Sequence, residues 1–376
     1  MAGRVRVGVI GCGLIAQVMH LPYLAELSDR FELAALCDLS GTVAAGCAER
    51  YGVPRVFTRF EELIAEPLDA VLIATSGDHA PAAIHAADAG RHVFVEKPMA
   101  LCSADAARMV AAAERSGVRL MVGTMKRYDP AYERLAALLG DGGDVRLVRV
   151  TTLESPLAPY IAHYPMIAGE RLADEVAAAI GEREAEILAA ALTDADERTR
   201  WCYRWILLDS LVHELNTLRG VLGEPTEIVS AALAPQCVAI NLRFGETDCH
   251  LSWVDLPGIA RYRQEFAFYA PDRRLTLELP SPFLRNMPSR LILEEGEVGT
   301  AGAWQREEVV GYDEAFRREL VEFADCIATG REARTAGADG LADVRLCELI
   351  ARAQMAAAPP VPVTAPVAVA APGGAP

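Results

Sequence analysis

The sequence is short of positive charge, of paired cysteines and of long hydrophobic runs. Its 376 residues carry 36 lysines and arginines against 52 aspartates and glutamates, which gives a formal net charge of −16. Such an excess of negative charge repels phosphate backbones and anionic lipid at long range. No apolar stretch approaches the roughly 18 residues that a membrane-spanning helix needs. We therefore expect neither a nucleic-acid partner nor a membrane partner.

Cysteine and histidine are present, but not in patterns that bind metal or form a disulfide framework. The nine cysteines include no Cys-x-x-Cys, and the seven histidines show no regular ligand spacing. We therefore expect reduced thiols, no metal and a cytoplasmic location. The apolar run near the first residue, Val7–Ile10, is followed by glycine and is too short for the core of a signal peptide.

The first 125 residues alternate short apolar runs with amphipathic stretches. The runs are almost continuously apolar, as strands buried on both faces are: Val5–Ile10, Glu32–Cys37, Ala70–Ala74, His92–Val95 and Leu120–Val122. The stretches between them have helical spacing: Leu14–Leu27, Thr42–Tyr51, Ala80–Ala89 and Ala104–Ser116. This alternation predicts an α/β domain over residues 1–125, with a doubly wound parallel sheet.

From about Val145 the sequence changes to strand-like runs with few helices between them. These runs are Val145–Thr152, Glu227–Leu233, Val238–Phe244, His250–Asp255, Gln264–Tyr269, Leu275–Leu279 and Arg290–Glu294. They predict a second α/β domain over residues 126–357 with a large, mainly antiparallel open sheet, completed by helices at Asp313–Thr329 and Ala338–Ala357. Residues 358–376 consist of Pro, Ala, Val, Gly and Thr, and we expect a disordered tail there.

Residues 156–205 interrupt the strand pattern of the second domain. Ala, Glu and Arg dominate from Gly169 to Arg200 at helical spacing, which predicts an inserted helical segment. Such a segment can serve as a lid, as an oligomer contact or as a plain surface excursion, and the sequence leaves these alternatives open.

A glycine-rich turn follows the first predicted strand and opens a helix. Its residues are Gly11, Cys12, Gly13, Leu14, Ile15 and Ala16, the pattern G-x-G-x-x-A. Gly11 permits a tight turn, Gly13 allows a pyrophosphate to approach the backbone, and Ala16 lets the helix pack on the strand. The pattern predicts dinucleotide binding, and the alternative is a glycine-rich turn in a sheet that binds nothing.

Asp38 ends the second predicted strand at the position of a ribose-binding acid. Its carboxylate is placed to accept hydrogen bonds from the ribose hydroxyls and would repel a 2′-phosphate. No Arg or Lys occurs in the four residues that follow it. NAD is therefore favoured over NADP.

Glu96-Lys97-Pro98 ends the predicted strand at His92–Val95. This is the carboxyl edge of the sheet, where ligands bind in open α/β folds. A lysine there can exchange a proton with a substrate hydroxyl if burial and nearby positive charge lower its pKa. Alone, the tripeptide also fits a solvated strand end.

Taken together, these motifs resemble the glucose–fructose oxidoreductase, inositol dehydrogenase and rhizopine catabolism (Gfo/Idh/MocA) family. The matching segments are Gly11–Ala16, Asp38, Ala74–Thr75 with His79, Ala89–Val93, Glu96–Ala100, Gly123–Pro130 and Leu208–Asn216. The resemblance implies a Rossmann domain, followed by a domain whose open sheet faces the nicotinamide. It also implies NAD(P)-dependent oxidation of a secondary alcohol of a sugar or cyclitol, or the reverse reduction.

The resemblance assigns the Asp-x-x-x-His pair of the family to Asp209 and His213. At i and i+4 the two side chains would share one face of a helix. His213 would be the general base, Lys97 would polarise the substrate oxygen, and Asp209 would orient the substrate. Taken alone, a histidine in this apolar context is more typical of a packed core.

Further contacts are implied by the same resemblance. Thr75, Ser76, His79 and Glu96 would contact the cofactor, and Arg127 would contact the nicotinamide or the substrate. For Arg127 the alternative is a structural ion pair, and for His79 it is a helix start. We also expect a homo-oligomer, a dimer or tetramer, because large apolar sheet faces are rarely left exposed.

The sequence departs from the family pattern near the aspartate. Leu211 stands where the family often has glycine, which predicts a narrower pocket or a shifted helix. Aromatic and basic residues precede it and could approach the substrate: Trp201, Tyr203, Arg204 and Trp205. Two other functions stay open. One is glycoside cleavage or epimerisation by transient oxidation on a bound cofactor, and the other is a non-catalytic sensor of sugar or dinucleotide.

Overall fold

The computed structural model describes residues 3–140 and 144–356. Within them lie two sheets, a parallel sheet of six strands and a mixed sheet of eight. This is the predicted fold class. The predicted tail at residues 358–376 lies outside the described residues.

The first sheet has the strand order β3-β2-β1-β4-β5-β6, and all its pairs are parallel. Its strands are β1 (Val5–Ile10), β2 (Phe31–Cys37), β3 (Arg55–Phe57), β4 (Ala70–Ile73), β5 (His92–Glu96) and β6 (Leu120–Gly123). β1 and β4, in the middle of the sheet, are almost entirely buried, as their apolar sequences predict. The sequence analysis missed β3, because this edge strand has three residues and is largely exposed.

The second sheet has the order β14-β13-β12-β11-β7-β10-β9-β8, and β7 with β10 is its parallel pair. Its strands are β7 (Leu147–Glu154), β8 (Glu227–Ala234), β9 (Cys237–Phe244), β10 (Thr247–Asp255), β11 (Arg263–Tyr269), β12 (Arg273–Leu279), β13 (Arg290–Gly296) and β14 (Ala303–Val309). The sequence analysis missed β14, an edge strand with mostly exposed polar residues and no apolar alternation.

The helices surround the first sheet and cover one face of the second. They are α1 (Leu21–Glu26), α2 (Gly41–Tyr51), α3 (Phe60–Ile64), α4 (Ala80–Asp88), α5 (Ser103–Ser116), α6 (Pro130–Leu139), α7 (Ala158–Ile161), α8 (Asp174–Ala191), α9 (Glu197–Cys202), α10 (Val212–Leu222), α11 (Ala315–Thr329) and α12 (Gly337–Ala356). Among the described residues, none of these helices has the length and apolar character that a bilayer crossing requires.

Three further helical segments have other hydrogen-bond patterns. Ala16–His20 and Tyr203–Leu211 are π-helical, and Met125–Tyr128 is a 3₁₀ turn. The first π segment runs into Pro22, which has no N–H to donate to the Val18 carbonyl four residues earlier. Arg285 donates to this carbonyl instead, at 2.6 Å. A side chain from the second half of the chain thus hydrogen-bonds a backbone carbonyl of this segment.

The outer face of the second sheet is polar. Residues alternate along its strands, so that the apolar set faces the helices while arginines and glutamates face outward. Arg290 pairs there with Glu278 at 2.6 Å and with Glu307 at 2.7 Å. Charged residues thus occupy part of this face beside apolar ones such as Ala239 and Ile292, and the expected homo-oligomer stays a prediction.

The last two helices return to the first sheet. Val122 of β6 donates to the Thr335 carbonyl at 2.8 Å. α12 then packs so closely that a Cβ at Gly340 would lie 2.6 Å from the Val122 side chain. This return fixes the carboxyl edge of the first sheet against the second domain, and the cleft between them holds the site.

Candidate active site

The glycine turn after β1 has the geometry that its sequence predicts. Gly11 has a φ of +91°, and a Cβ there would lie 2.6 Å from the Thr75 backbone nitrogen. A Cβ at Gly13 would meet no atom within 4 Å. The turn therefore needs glycine at Gly11, and Gly13 leaves open space beside the backbone for a pyrophosphate.

Asp38 links this turn to the next helix. Its Oδ2 accepts from the Cys12 N–H at 2.7 Å, and its Oδ1 accepts from the Ser40 N–H at 2.9 Å. The carboxylate is thus held at the end of β2, where a ribose would lie. Cys12 and Ala16 are fully buried and act through backbone and packing. Contact with Cys47 and burial raise the pKa of the Cys12 thiol, so it is not a reactive group.

A cavity of about 550 Å³ opens between the carboxyl edge of the first sheet and the second domain. Ten of the residues predicted for the site line it: Gly13, Leu14, Ile15, Thr75, Ser76, His79, Glu96, Lys97, Asp209 and His213. The remaining predicted residues, Gly11, Cys12, Ala16, Asp38 and Arg127, are not part of its lining. The cavity brings together the three candidate catalytic side chains from distant parts of the sequence.

Lys97 and Asp209 contact each other in this cavity. The Lys97 ammonium donates to the Asp209 backbone carbonyl at 2.7 Å and to its Oδ1 at 3.4 Å. The lysine side chain is 21% exposed and the aspartate 52%. The aspartate therefore holds the ammonium at the open side of the cavity, next to where a substrate would enter.

The segment that carries Asp209 is not the regular α-helix that the i and i+4 argument assumed. Tyr203–Leu211 is π-helical, and α10 begins at Val212. Asp209 therefore lies in a wide turn and His213 lies in the α-helix that follows. π-Helical turns are frequent at functional sites. Leu211, which was expected to affect the pocket, is fully buried and lies outside the cavity lining.

His213 is positioned to act as a neutral base. Burial, together with the positive charges of Lys126 and Lys97, holds its pKa well below the ordinary histidine value. Its Nδ1 is buried and has no hydrogen-bond partner among the described residues. The imidazole is therefore neutral and can accept a hydrogen bond from a hydroxyl, while the neighbouring positive charges make it a weaker base than an ordinary histidine.

Lys126 is a site residue that the sequence analysis missed. It lines the cavity and is 7% exposed, and burial lowers the pKa of its ammonium. Arg127, the neighbour that was chosen instead, donates to the Asn216 carbonyl at 3.3 Å and lies 3.8 Å from Asp339. This placement supports the structural alternative for Arg127 and not contact with a ligand.

Lysine composition was the signal that could have identified Lys126. The sequence contains two lysines in 376 residues, Lys97 and Lys126, while every other basic side chain of this type is arginine. Both lysines line the same cavity. An ammonium can lose its proton on burial far more readily than a guanidinium can, so lysine in an arginine-rich sequence indicates a site.

The loop after β4 is attached to the Glu96-Lys97-Pro98 turn by His79. The Nδ1 of His79 lies 2.9 Å from the Pro98 carbonyl oxygen, and the Nε2 of His79 lies 2.7 Å from the Thr75 carbonyl oxygen. Thr75 and Ser76 line the cavity at this point. His79, at the start of α4, therefore positions two neighbouring cavity walls, and both of its ring nitrogens are occupied.

Other cavity residues that the sequence analysis did not single out come from the second domain. Burial raises the pKa of the Glu154 carboxyl at the end of β7. The Tyr160 hydroxyl accepts from the Tyr262 backbone N–H at 2.6 Å. All three side chains line the cavity, and the tyrosines give it an aromatic wall. They were not predicted because strand ends and loops only meet once the sheet has formed.

Residues 156–205, which we call the strap, fold across the cofactor side of the first domain. The Ile167 backbone makes two hydrogen bonds with the Gln17 side chain, at 2.7 and 3.0 Å. Farther along, a Cβ at Gly169 would meet Ser40 and Val43 of the α2 start. The strap thus contacts the segments that follow β1 and β2.

The later part of the strap contacts the loop after β4 and then enters the cavity wall. Arg183 of α8 pairs with Asp78 at 3.2 Å. Arg204 lies 3.5 Å from Glu184 and stacks over the Trp205 ring at 4.2 Å, and both Arg204 and Trp205 line the cavity. Of the other two residues expected near the substrate, Trp201 is exposed and Tyr203 is buried against Leu101.

Comparison with known proteins agrees with this geometry. Residues 5–124 match the family model described as oxidoreductase family, NAD-binding Rossmann fold. Inositol 2-dehydrogenase 3 of Saccharopolyspora erythraea is 27% identical over 358 residues, 91% of each chain. Myo-inositol 2-dehydrogenase of Thermotoga maritima is 31% identical over 230 residues, 60% of this chain and 57% of that enzyme.

The fold has solved counterparts as well. Aldose-aldose oxidoreductase from Caulobacter crescentus superposes with a TM-score of 0.71 at 23% identity, over 94% of this chain and 98% of that one. The parallel sheet, the glycine turn and the matched sequence define an NAD(P)-dependent oxidoreductase. The family model matched over residues 5–124 is that of the Gfo/Idh/MocA family, which the motifs predicted, and the similarity to an inositol 2-dehydrogenase extends over 91% of the chain.

Proposed function

We propose that the protein transfers hydride between NAD(P) and a secondary alcohol or ketone carbon of a small cyclitol or monosaccharide. The observation that carries the proposal is the convergence of Lys97, Asp209 and His213 on one cavity beside the glycine turn. The names of the relatives, inositol 2-dehydrogenases, favour a cyclitol as the first substrate to test.

The residues after β1 and β2 fit a dinucleotide. The open space at Gly13 would take the pyrophosphate, and Asp38 would accept from the ribose hydroxyls. NAD(P), when bound, supplies the acceptor or donor of the hydride. Glu170 of the strap adds a negative charge at the α2 start, where hydrogen bonds from its own backbone, Thr42 and Ser40 lower the pKa of its carboxyl. Together with Asp38, this charge favours NAD over NADP.

The proton is handled by the chain's own side chains. His213, held neutral by its surroundings, accepts the proton of the substrate hydroxyl during oxidation. Lys97 donates a hydrogen bond to the same oxygen and stabilises its developing negative charge. Asp209 holds the Lys97 ammonium in place through two contacts. In the reduction direction the same groups return the proton to the carbonyl oxygen.

The cavity supports a substrate with a single ring. Its 550 Å³ must hold the nicotinamide end of the cofactor as well as the substrate. The rings of Tyr160, Tyr262 and Trp205 give apolar faces for the CH surfaces of a polyol, while Glu154 and Ser210 can bond its hydroxyls. The strap residues Arg204 and Trp205 close the side from which a longer substrate would extend.

NADH formation from a panel of cyclitols and monosaccharides, followed by absorbance, tests the proposal. We expect turnover of at least one single-ring polyol, and we expect Lys97→Ala to lower kcat/KM by about a thousandfold. Arg108→Ala, an exposed cation of α5, is the matched control and should leave turnover unchanged. Full activity in the Lys97→Ala variant would exclude the role given to this lysine.

The same assay separates the alternatives that share this cavity. Conversion of a glycoside or epimer without net NADH would indicate transient oxidation on a bound cofactor. NAD binding without turnover of any compound would indicate a sensor. A dimer or tetramer and a cytoplasmic location stay predictions, and sedimentation velocity of the purified protein would measure the oligomeric state.

A further inference from the structure

A buried cluster of three ionisable side chains lies behind the cavity. His20 ends the first π segment, Glu96 ends β5, and Glu319 lies on α11. Their exposed fractions are 0%, 5% and 0%. One polar atom from each lies within 4.8 Å of the others. The cluster therefore forms only when three separate parts of the chain pack together.

The hydrogen bonds within the cluster leave one carboxyl unsatisfied. His20 Nε2 and Glu96 Oε1 are 2.6 Å apart, and Glu96 Oε2 accepts from the Lys97 N–H at 3.1 Å. Neither oxygen of Glu319 has a partner among the described residues. An unpartnered buried carboxylate is costly, so this group needs a proton or a cation.

The titratable groups that face the two carboxyls are His20, 2.6 Å from Glu96, and Tyr128, whose charge interaction is with Glu319 and whose hydroxyl is bonded to Thr335. Of the elements packed here, β5 continues into Lys97, whose ammonium turns to Asp209, while the rings of Phe94 and Phe316 cover His20 edge-on. Burial, and then the charge of Glu96, raise the pKa of Glu319 well above its ordinary value. A second negative charge this close to Glu96 in a dry site is costly, so the Glu319 carboxyl keeps its proton.

A proton satisfies the cluster better than a metal ion does. A divalent cation would need the His20 nitrogen and the Glu96 oxygen to point at it, but these atoms are hydrogen-bonded to each other at 2.6 Å. The rings of Phe94 and Phe316 also pack against the imidazole, at 5.5 and 5.8 Å between ring centroids. The geometry is that of an imidazole hydrogen-bonded to Glu96, with an oxygen of the unpartnered Glu319 carboxyl within 4.8 Å of both.

Glu96 connects the cluster to the ligand, because it also lines the cavity beside Lys97. We propose that His20, Glu96 and Glu319 form a buried cluster behind the nicotinamide that keeps the Glu319 proton until a positive charge approaches Glu96, which makes the relative affinity for NAD⁺ and NADH depend on pH. This rests on the proposed placement of the nicotinamide in the cavity. The oxidised ring carries a positive charge and the reduced ring carries none.

The sign of the effect follows from that difference in charge. A positive ring next to Glu96 favours loss of the Glu319 proton, so binding of NAD⁺ releases a proton and binding of NADH does not. As pH rises, the deprotonated cluster binds NAD⁺ more tightly relative to NADH. The ratio of the NADH dissociation constant to that of NAD⁺ should rise about tenfold between pH 6 and pH 9, the effect of one pKa unit.

Calorimetric titration of the purified protein with each cofactor, without substrate, tests the cluster. Titration in two buffers of different ionisation enthalpy counts the protons released. Glu319→Gln mimics the protonated acid. Its ratio of the NADH dissociation constant to that of NAD⁺ should therefore equal the wild-type ratio at pH 6, and it should not show the wild-type rise at higher pH. Asp325→Asn, on the exposed side of the same helix, is the control and should behave as the wild type. Lys126 is present in all of these proteins, and the comparison removes its contribution.

The outcomes are decisive in the wild type alone. Equal proton release on binding of NAD⁺ and NADH would overturn the proposal, whether or not Glu319→Gln folds. One equivalent of metal that EDTA removes, with loss of the pH effect, would overturn it in favour of a cation site. The calorimetric titration contains no polyol, so its result does not depend on the proposed dehydrogenase activity. Failure of that activity would be seen in the turnover assay, as a protein that binds the cofactor and converts no polyol.

Discussion

Lys97 and Lys126 are the two lysines of the chain, and both line the cavity. The position of Lys97 could be predicted, because it ends a buried strand of a parallel sheet. The orientation of Lys126 could not, because the residues after β6 form a 3₁₀ turn that directs this lysine inward and Arg127 toward α10. A shift of one position along the chain decides whether Lys126 or Arg127 points into the cavity. The local sequence does not indicate which of the two does so.

Reductive ¹³C-methylation can follow these two ammonium groups directly. The chain should give methyl signals from Lys97, Lys126 and the α-amino group alone. Because burial lowers the pKa of Lys126, we expect one methyl-lysine signal to titrate below 10.5, and this signal should disappear in Lys126→Arg. If both lysines titrate at the ordinary value, the electrostatic account of the cavity is wrong.

Lys126→Met and Arg127→Met should separate contact with ligand from structural support. Lys126→Met removes an ammonium from the cavity and should lower kcat/KM about a hundredfold with little change in stability. Arg127→Met breaks contacts with Asn216 and Asp339 outside the cavity, and should lower the free energy of unfolding by about 1–3 kcal/mol. Urea unfolding measures the free energy of unfolding of both variants, and steady-state kinetics measures their kcat/KM. The reverse pattern would restore Arg127 as the site residue.

At the scale of single elements, apolar runs predicted most strands and several helix boundaries. α2 begins at the Ser40 cap and ends at the left-handed Gly52, close to the predicted Thr42–Tyr51. The π-helical form of Tyr203–Leu211 was not predictable, because its residues also suit an α-helix and the wider turn arises where the strap joins α10. This turn places Asp209 on Lys97, so the missed detail matters for the site.

The strap should limit release of the cofactor. Gln17→Leu removes its two hydrogen bonds to the Ile167 backbone, each worth about 1 kcal/mol. We expect stopped-flow displacement to show NADH association and dissociation both faster by about tenfold. Faster dissociation alone would indicate damage to the glycine turn, because Gln17 also donates to the Cys12 carbonyl.

Asp174→Asn is the matched control for the strap. Asp174 lies within the strap, and its carboxylate pairs with the exposed Arg171. NADH should dissociate from the Asp174→Asn variant at the same rate as from the wild type. Equal rates in all three proteins would show that the strap does not gate the cofactor.

For the whole molecule, the two sheets and their order along the chain could be predicted from composition and periodicity, and the family resemblance supported them. What could not be predicted is how the two halves meet. The return of α12 onto β6, through contacts such as Gly340 with Val122, sets the width of the cleft. Such contacts span more than 200 residues of sequence and depend on side-chain shape.

The central claim is that Lys97, from the first sheet, and His213, from the second half of the chain, act on the same substrate oxygen. A double-mutant cycle in kcat/KM, with Lys97→Ala, His213→Ala and the combined variant on the accepted polyol, measures this most directly. If the two act as a unit, each single change costs about a thousandfold and the combined variant costs little more than either. Losses that multiply would mean that the two groups act independently, and would contradict the account.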